Sequence, residues 1–242
     1  MSVVSTDRDH AVVRRGLGVG IVLSTLLVAY GLVRYPANLN DDPASVVYGL
    51  LLILLLAGYG AITFRLTRTR TAVAAVALRQ GAAWGLVFGV LWLVEVLAGN
   101  LSFAIATSWV RLAYYGAMLA VLVLTLAAGA YAALRTGRIA AGTLVGFWSG
   151  LISGLITFII LLCVTYLCMG MLQHDPQNIQ EFQRSGAPDL ATSIVAESLA
   201  GGINHLWLGP LVGELRRPRR GGWRWTRVGA RPGLAARSCA SV

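Results

Sequence analysis

Residues 194–213 read "IVAESLAGGINHLWLGPLVG", and whether they cross a membrane decides the fold. The stretch is about as long as a bilayer-spanning helix, which needs roughly 20 apolar residues. Against a crossing stand Glu197, Asn204 and His205, three groups that hydrocarbon disfavours. The rest of the chain supplies the context. Of its 242 residues, 57% are hydrophobic and 12% charged, and that is well short of the roughly 25% charged residues of a soluble domain. The apolar residues come in blocks: 16–33, 45–64, 80–98, 112–134 and 142–171. Each block is near or above the length of a membrane helix.

Arginine placement decides between five crossings and six. All twenty basic residues are arginine. Arg8, Arg14 and Arg15 precede the first run; Arg65, Arg68, Arg70 and Arg79 separate the second from the third; Arg135 and Arg138 separate the fourth from the fifth. The alternate segments hold one arginine each, Arg34, Arg111 and Arg184, together with Asp41, Asp42, Asp175, Glu181 and Asp189. Eight arginines follow Glu214. Positively charged segments stay in the cytoplasm, so this alternation predicts that 189–213 is a sixth crossing and that both ends are cytoplasmic. The first run is longer than the apolar core of a signal peptide and reads as an uncleaved helix.

The chain is therefore expected to be an all-α integral membrane protein. Its bundle has six transmembrane helices, at about 16–33, 45–64, 80–98, 112–134, 142–171 and 189–213. Residues 1–15 form a cytoplasmic N-terminal segment, 16–213 the membrane domain, and 214–242 a basic, disordered cytoplasmic tail. Two readings of that tail stay open: a juxtamembrane segment whose arginines contact anionic lipid, or an out-of-frame product of GC-rich coding. The net charge of +10 is a terminal feature, because without the tail twelve arginines face nine acids. A nucleic-acid partner is not indicated. Cys163, Cys168 and Cys239 show no metal-ligand spacing, so no metal, cofactor or disulfide framework is indicated either.

Glycines repeat at the starts of the odd-numbered helices. Gly16 and Gly20, with Ser24, mark the first; Gly81, Gly85 and Gly89 the third; Gly142, Gly146, Gly150 and Gly154 the fifth. The sets start 65 and 61 residues apart, about one helical hairpin each, which points to three related hairpins. Small residues at every fourth position let helix backbones approach closely in lipid, so helices one, three and five are expected to form the inner seam. Ser149, Ser153 and Thr157 lie beside these glycines and are expected to bond to backbone carbonyls of their own helix. The outer segment "HDPQNIQEFQRSG" (174–186) reads as a short helix, capped by Asp175, opened by Pro176 and ended by Gly186.

The candidate polar site lies in the last helix. Ser193, Glu197, Gly201 and Asn204 follow spacings of four, four and three and share a stripe, with His205 beside it. Such groups avoid lipid, so the stripe should face the bundle or a water-filled cavity. Glu197 should lie about 12 Å below the outer end of its helix. Glu95 is expected near the outer end of helix three, in an ion pair with Arg111. Glu197 reads either as a protonated carboxyl bonded within the bundle or as a solute- or proton-binding group. No catalytic residue is assigned. Ser149 and His205 raise an intramembrane serine hydrolase, but "GFWSG" and "GLISG" lack the GxSG of rhomboid proteases.

In outline, six short-looped helices with small-xxx-small faces are similar to the substrate-binding subunits of energy-coupling-factor transporters. That outline implies docking to other membrane subunits through the small-residue faces. The expectation is a polytopic, bacterial-type protein of the inner (cytoplasmic) membrane. It handles a solute, or serves a transporter, without being an enzyme. The alternative is a ligand-free structural or assembly protein.

Overall fold

The computed structural model describes residues 3–36, 43–68, 71–101 and 108–214, with side chains within 10–36, 45–68, 74–100, 112–207 and at 71, 109 and 110. These residues form eight helices and no strand: α1 (Val3–Arg34), α2 (Pro43–Thr67), α3 (Ala72–Leu101), α4 (Ser108–Thr136), α5 (Ile139–Leu167), α6 (Met169–Leu172), α7 (Pro176–Ser185) and α8 (Leu190–Glu214). Five of them, α1 to α5, are long and apolar enough to cross a membrane, over His10–Arg34, Ser45–Thr67, Ala74–Asn100, Leu112–Thr136 and Ile139–Leu167. Their outward faces carry bare apolar side chains such as Leu26, Leu54, Leu86 and Leu119. Only a lipid solvent makes such a surface stable, because every backbone group is already satisfied within its helix. The chain is a multi-pass membrane protein.

The helices are longer than the hydropathy runs. α1 begins at Val3, so most of the expected N-terminal segment continues the first helix. The run 142–171 is not one helix: α5 ends at Leu167, Cys168 leaves helical geometry at φ −104° and ψ 14°, and α6 adds a single turn. By then α5 has covered about 43 Å, more than the roughly 30 Å of a bilayer core. The tail 215–242, Asp41 and Asp42, and the side chain of Arg111 lie outside the described residues.

The centre of the bundle is α5. In its apolar stretch 67% of the residues are buried by protein, against 22–33% in the other four. It packs most extensively on α3 and α8, then on α4 and α1. Leu151, Leu155, Phe158 and Leu162 of α5 meet Val28 of α1, Leu52 and Leu56 of α2, and Val195, Leu199 and Leu206 of α8 in one core. Sequence-adjacent helices α1–α2, α3–α4 and α5–α8 are also neighbours. The expected seam of helices one, three and five is thus shifted, with α8 taking the place beside α5 that α1 was assigned.

The glycines explain the close contacts, but not by the expected sets meeting one another. The α3 set receives the side chains of α5: a Cβ added at Gly81 would strike Trp148, one at Gly85 Ile152, and one at Gly89 Ile156. On α5, Gly142 faces the backbone of Gly129 in α4, while Gly154 faces the backbone of His205 in α8. Gly146 and Gly150 are buried in the same helix. Of the α1 set, Gly20 is used, against Leu155, whereas at Gly16 an added Cβ would meet nothing within 4 Å; Gly31, outside the set, packs against Tyr166. The sequence repeat is therefore not a repeat of contacts.

Hydroxyls add polar links. Ser149 donates to Gly146 O (2.9 Å), Ser153 to Gly150 O (3.3 Å) and Thr157 to Ser153 O (2.8 Å), the expected bonds within their own helix. Between helices, Tyr59 of α2 donates to Leu206 O of α8, Tyr166 of α5 to Leu27 O of α1 (3.0 Å), and Thr165 and Ser198 bond α5 to α8 (2.8 Å).

Candidate polar cleft and apolar chamber

One end of the bundle is closed by α6 and α7. Asp175 caps α7 by accepting from Gln177 N (2.9 Å), Pro176 fills the first turn, and Gly186 ends the helix at φ 71°, a left-handed conformation that costs glycine little. Asn178 donates to Leu172 O (2.8 Å), which fixes α7 to α6. Asp189 then caps α8, accepting from Thr192 N (2.8 Å) and Thr192 Oγ1 (2.7 Å). These caps turn the chain back tightly enough to set α7 against α8.

Under α7 lies a polar cleft of about 260 Å³ between α3, α4, α5 and α8. Glu197 of α8 lines it, exposed, and Glu181 of α7 lines it from the outer side. Glu95 lines the same cleft from α3 and is 8% exposed, and Tyr114 of α4, one helical turn past Arg111, lines it as well. Asp175 and Asn100 complete the acceptor-rich lining. Among the described residues no three His, Cys, Asp or Glu side chains are grouped to hold a metal ion.

Below the cleft is a second, apolar chamber of about 420 Å³, a size typical of small-molecule sites (roughly 300–1,000 Å³). It opens because helices that touch at one point diverge beyond it. α4 and α5 meet backbone to backbone at Gly129 and Gly142, and at the level of Gly150 and Gly154 they have separated. Met118, Leu119 and Leu122 of α4 form one wall, Gly150, Ser153 and Gly154 of α5 the opposite one. His205 lines both cavities. Trp92 lines the chamber and holds the His205 ring edge-to-face, with centroids 5.0 Å apart.

The sequence stripe on the last helix is divided by the fold. Glu197 and Gly201 line the cleft, together with His205. Ser193 is buried and donates to Ser185 of α7 (3.4 Å). Asn204 is exposed and lines neither cavity. Ser149 keeps its hydroxyl on Gly146 O, whereas His205 lies beside Gly154, five residues or about 7.5 Å farther along α5. Sequence reading missed Glu181, Tyr114 and Asn100. The legible signal for Glu181 was its place on a strongly amphipathic outer helix; Tyr114 carried none.

Fold and site together define a multi-pass α-helical membrane protein with a polar cleft and an adjoining apolar chamber. Comparison with protein families, with curated proteins and with solved structures finds no match to this chain.

Proposed function

We propose that the protein is a non-enzymatic solute-handling subunit of the inner (cytoplasmic) membrane, and that the polar cleft under α7 is its solute site. In this reading α8 is the sixth crossing, both ends are cytoplasmic, and α6 and α7 lie on the outer side. The membrane domain then covers 16–213, flanked by 1–15 and the basic tail. The arginine alternation supports the topology, and the 25 residues of α8, about 37 Å, are enough to span. Acidic groups in lipid are costly and mark functional sites by default. The observation that carries the proposal is that Glu197 of the last long helix and Glu181 of the outer helix line one cleft large enough for a small solute. Gly16 on α1, which meets nothing within this chain, is on the face offered to other membrane subunits.

Purification in gentle detergent from the native host, followed by mass spectrometry of small molecules released on denaturation, tests this. A solute present in fixed ratio in the wild type and lost from Glu197→Gln is the expected result. Equal yields of folded wild type and variant, with no solute in either and the same co-purifying proteins, would replace it by a ligand-free scaffold or assembly role.

A further inference from the structure

The two cavities adjoin at His205, which lines both, and on α4 the sequence neighbours Tyr114 and Tyr115 line the cleft and the chamber respectively. We propose that they hold a single ligand, an amphiphile with a protonated amine as its head and a hydrocarbon chain as its tail; this rests on the cleft being a solute site. A water-soluble solute would use the cleft alone and leave the chamber without a role.

Hydrogen-bond bookkeeping fixes the head. Glu95, Asp175, Glu181 and Glu197 are acceptors when ionised, and no arginine lines the cleft among the described residues. The amides there direct N–H groups at protein acceptors: Asn100 to Val96 O (2.8 Å), Asn178 to Leu172 O (2.8 Å) and Gln177 to Glu181 (2.8 Å). Each amide thus spends one of its two N–H groups within the protein, and the carbonyl and carboxyl oxygens left for a ligand outnumber the donors. A phosphate or carboxylate head would meet like charge with no arginine among the described lining residues to offset it. An ammonium brings three donors and one positive charge, and charge-assisted bonds to carboxylates are the strong ones. Entering between Glu181 and Glu197, it bonds to a carboxylate from each of two helices, and any proton held by either carboxyl leaves to solvent.

Position fixes the tail. The α4 wall of the chamber is also part of the outer surface of the bundle: Tyr115 is 67% exposed and Leu119 61%. In a membrane that face meets acyl chains, so a hydrocarbon tail can enter sideways between α4 and α5 without crossing water. His205, held by Trp92, stands where head and tail would join.

Binding of radiolabelled dodecylamine to the full chain in phosphatidylcholine nanodiscs tests the proposal, with propylamine and dodecyl phosphate as comparison ligands. Saturable dodecylamine binding is expected, at least tenfold weaker in Glu197→Gln and in Leu122→Trp, with both comparison ligands at least a hundredfold weaker. Leu122 is 47% and Met118 42% exposed, so Met118→Trp offers a second way to fill the chamber without burying bulk in the core. Binding no greater than to empty discs overturns the proposal, as does binding indifferent to both tryptophan variants. Dodecyl phosphate binding as tightly overturns the amine head. A soluble solute that depends on Glu197 but ignores Leu122→Trp overturns the amphiphile while leaving the solute site standing. Loss of a fixed protein partner in Leu122→Trp, without dodecylamine binding, would make the chamber a docking surface instead.

Discussion

Substitution of Gly85 by alanine isolates the contact that sets the distance between α3 and α5. A Cβ at this position would stand 2.7 Å from Ile152 Cβ, 2.9 Å from Ile152 Cγ2 and 3.0 Å from the Ser149 carbonyl oxygen. Carbon atoms pack at about 3.5–4.0 Å. Neither neighbour can swing aside, because a β-branched side chain on a helix has essentially one rotamer and the carbonyl belongs to the helix backbone. The helices must therefore part by several tenths of an ångström along the most extensive contact of the bundle. Overpacking of this kind costs about 1–3 kcal/mol. Alanine returns about 0.5–1 kcal/mol through its better helix propensity. The net loss centres on about 1 kcal/mol, a factor of roughly 5 in the folded-to-unfolded ratio. Gly16→Ala is the matched control, since its added Cβ meets nothing within 4 Å and only the propensity gain remains. Unfolding by SDS titration from mixed micelles, followed by tryptophan fluorescence, reads both. A Gly85→Ala midpoint equal to or above that of Gly16→Ala would refute the packing of α3 on α5 described above.

The six-crossing topology predicts opposite labelling of two exposed positions by a membrane-impermeant maleimide in intact cells. In a background without native cysteines, Gln183→Cys on α7 should react from outside and Arg138→Cys, between α4 and α5, should not; the reverse pattern, or reaction at both, would sink it. Asp175→Ala removes the cap of α7, at a cost of about 0.5–2 kcal/mol. Amide exchange over 176–185 should accelerate while α3 and α5 stay protected, and unchanged exchange in α7 would show that the cap does not hold it.

Much of the local structure was legible because membrane helices satisfy their own backbones. Length and hydropathy alone marked α1 to α5. Asp175, Pro176 and Gly186 delimit α7 as their residue types require, and Ser149, Ser153 and Thr157 bond backward within α5 as expected. Apolar runs do not show where a helix stops once it leaves the bilayer, which is why α1 extends back to Val3 and the run through Met171 breaks at Cys168.

Which face meets which was decided only in three dimensions. In lipid, apolar burial gives no preference for one helix face over another, so partners are chosen by fit between surfaces. Glycine spacing announced that helices would approach closely. It did not announce that the α3 glycines would receive Trp148, Ile152 and Ile156, or that Gly154 would meet α8. The candidate site follows the same division. Sequence led to the expectation of Glu197 and His205 on or beside a stripe of a sixth membrane helix turned away from lipid, and of Glu95 near the outer end of helix three. The tertiary structure set Glu95, Tyr114, Glu181 and Glu197 around one cleft, left Asn204 outside, and put His205 between that polar cleft and an apolar chamber. Those residues come from separate helices, and only the packing of α3 on α4 and of α7 on α8 brings them together.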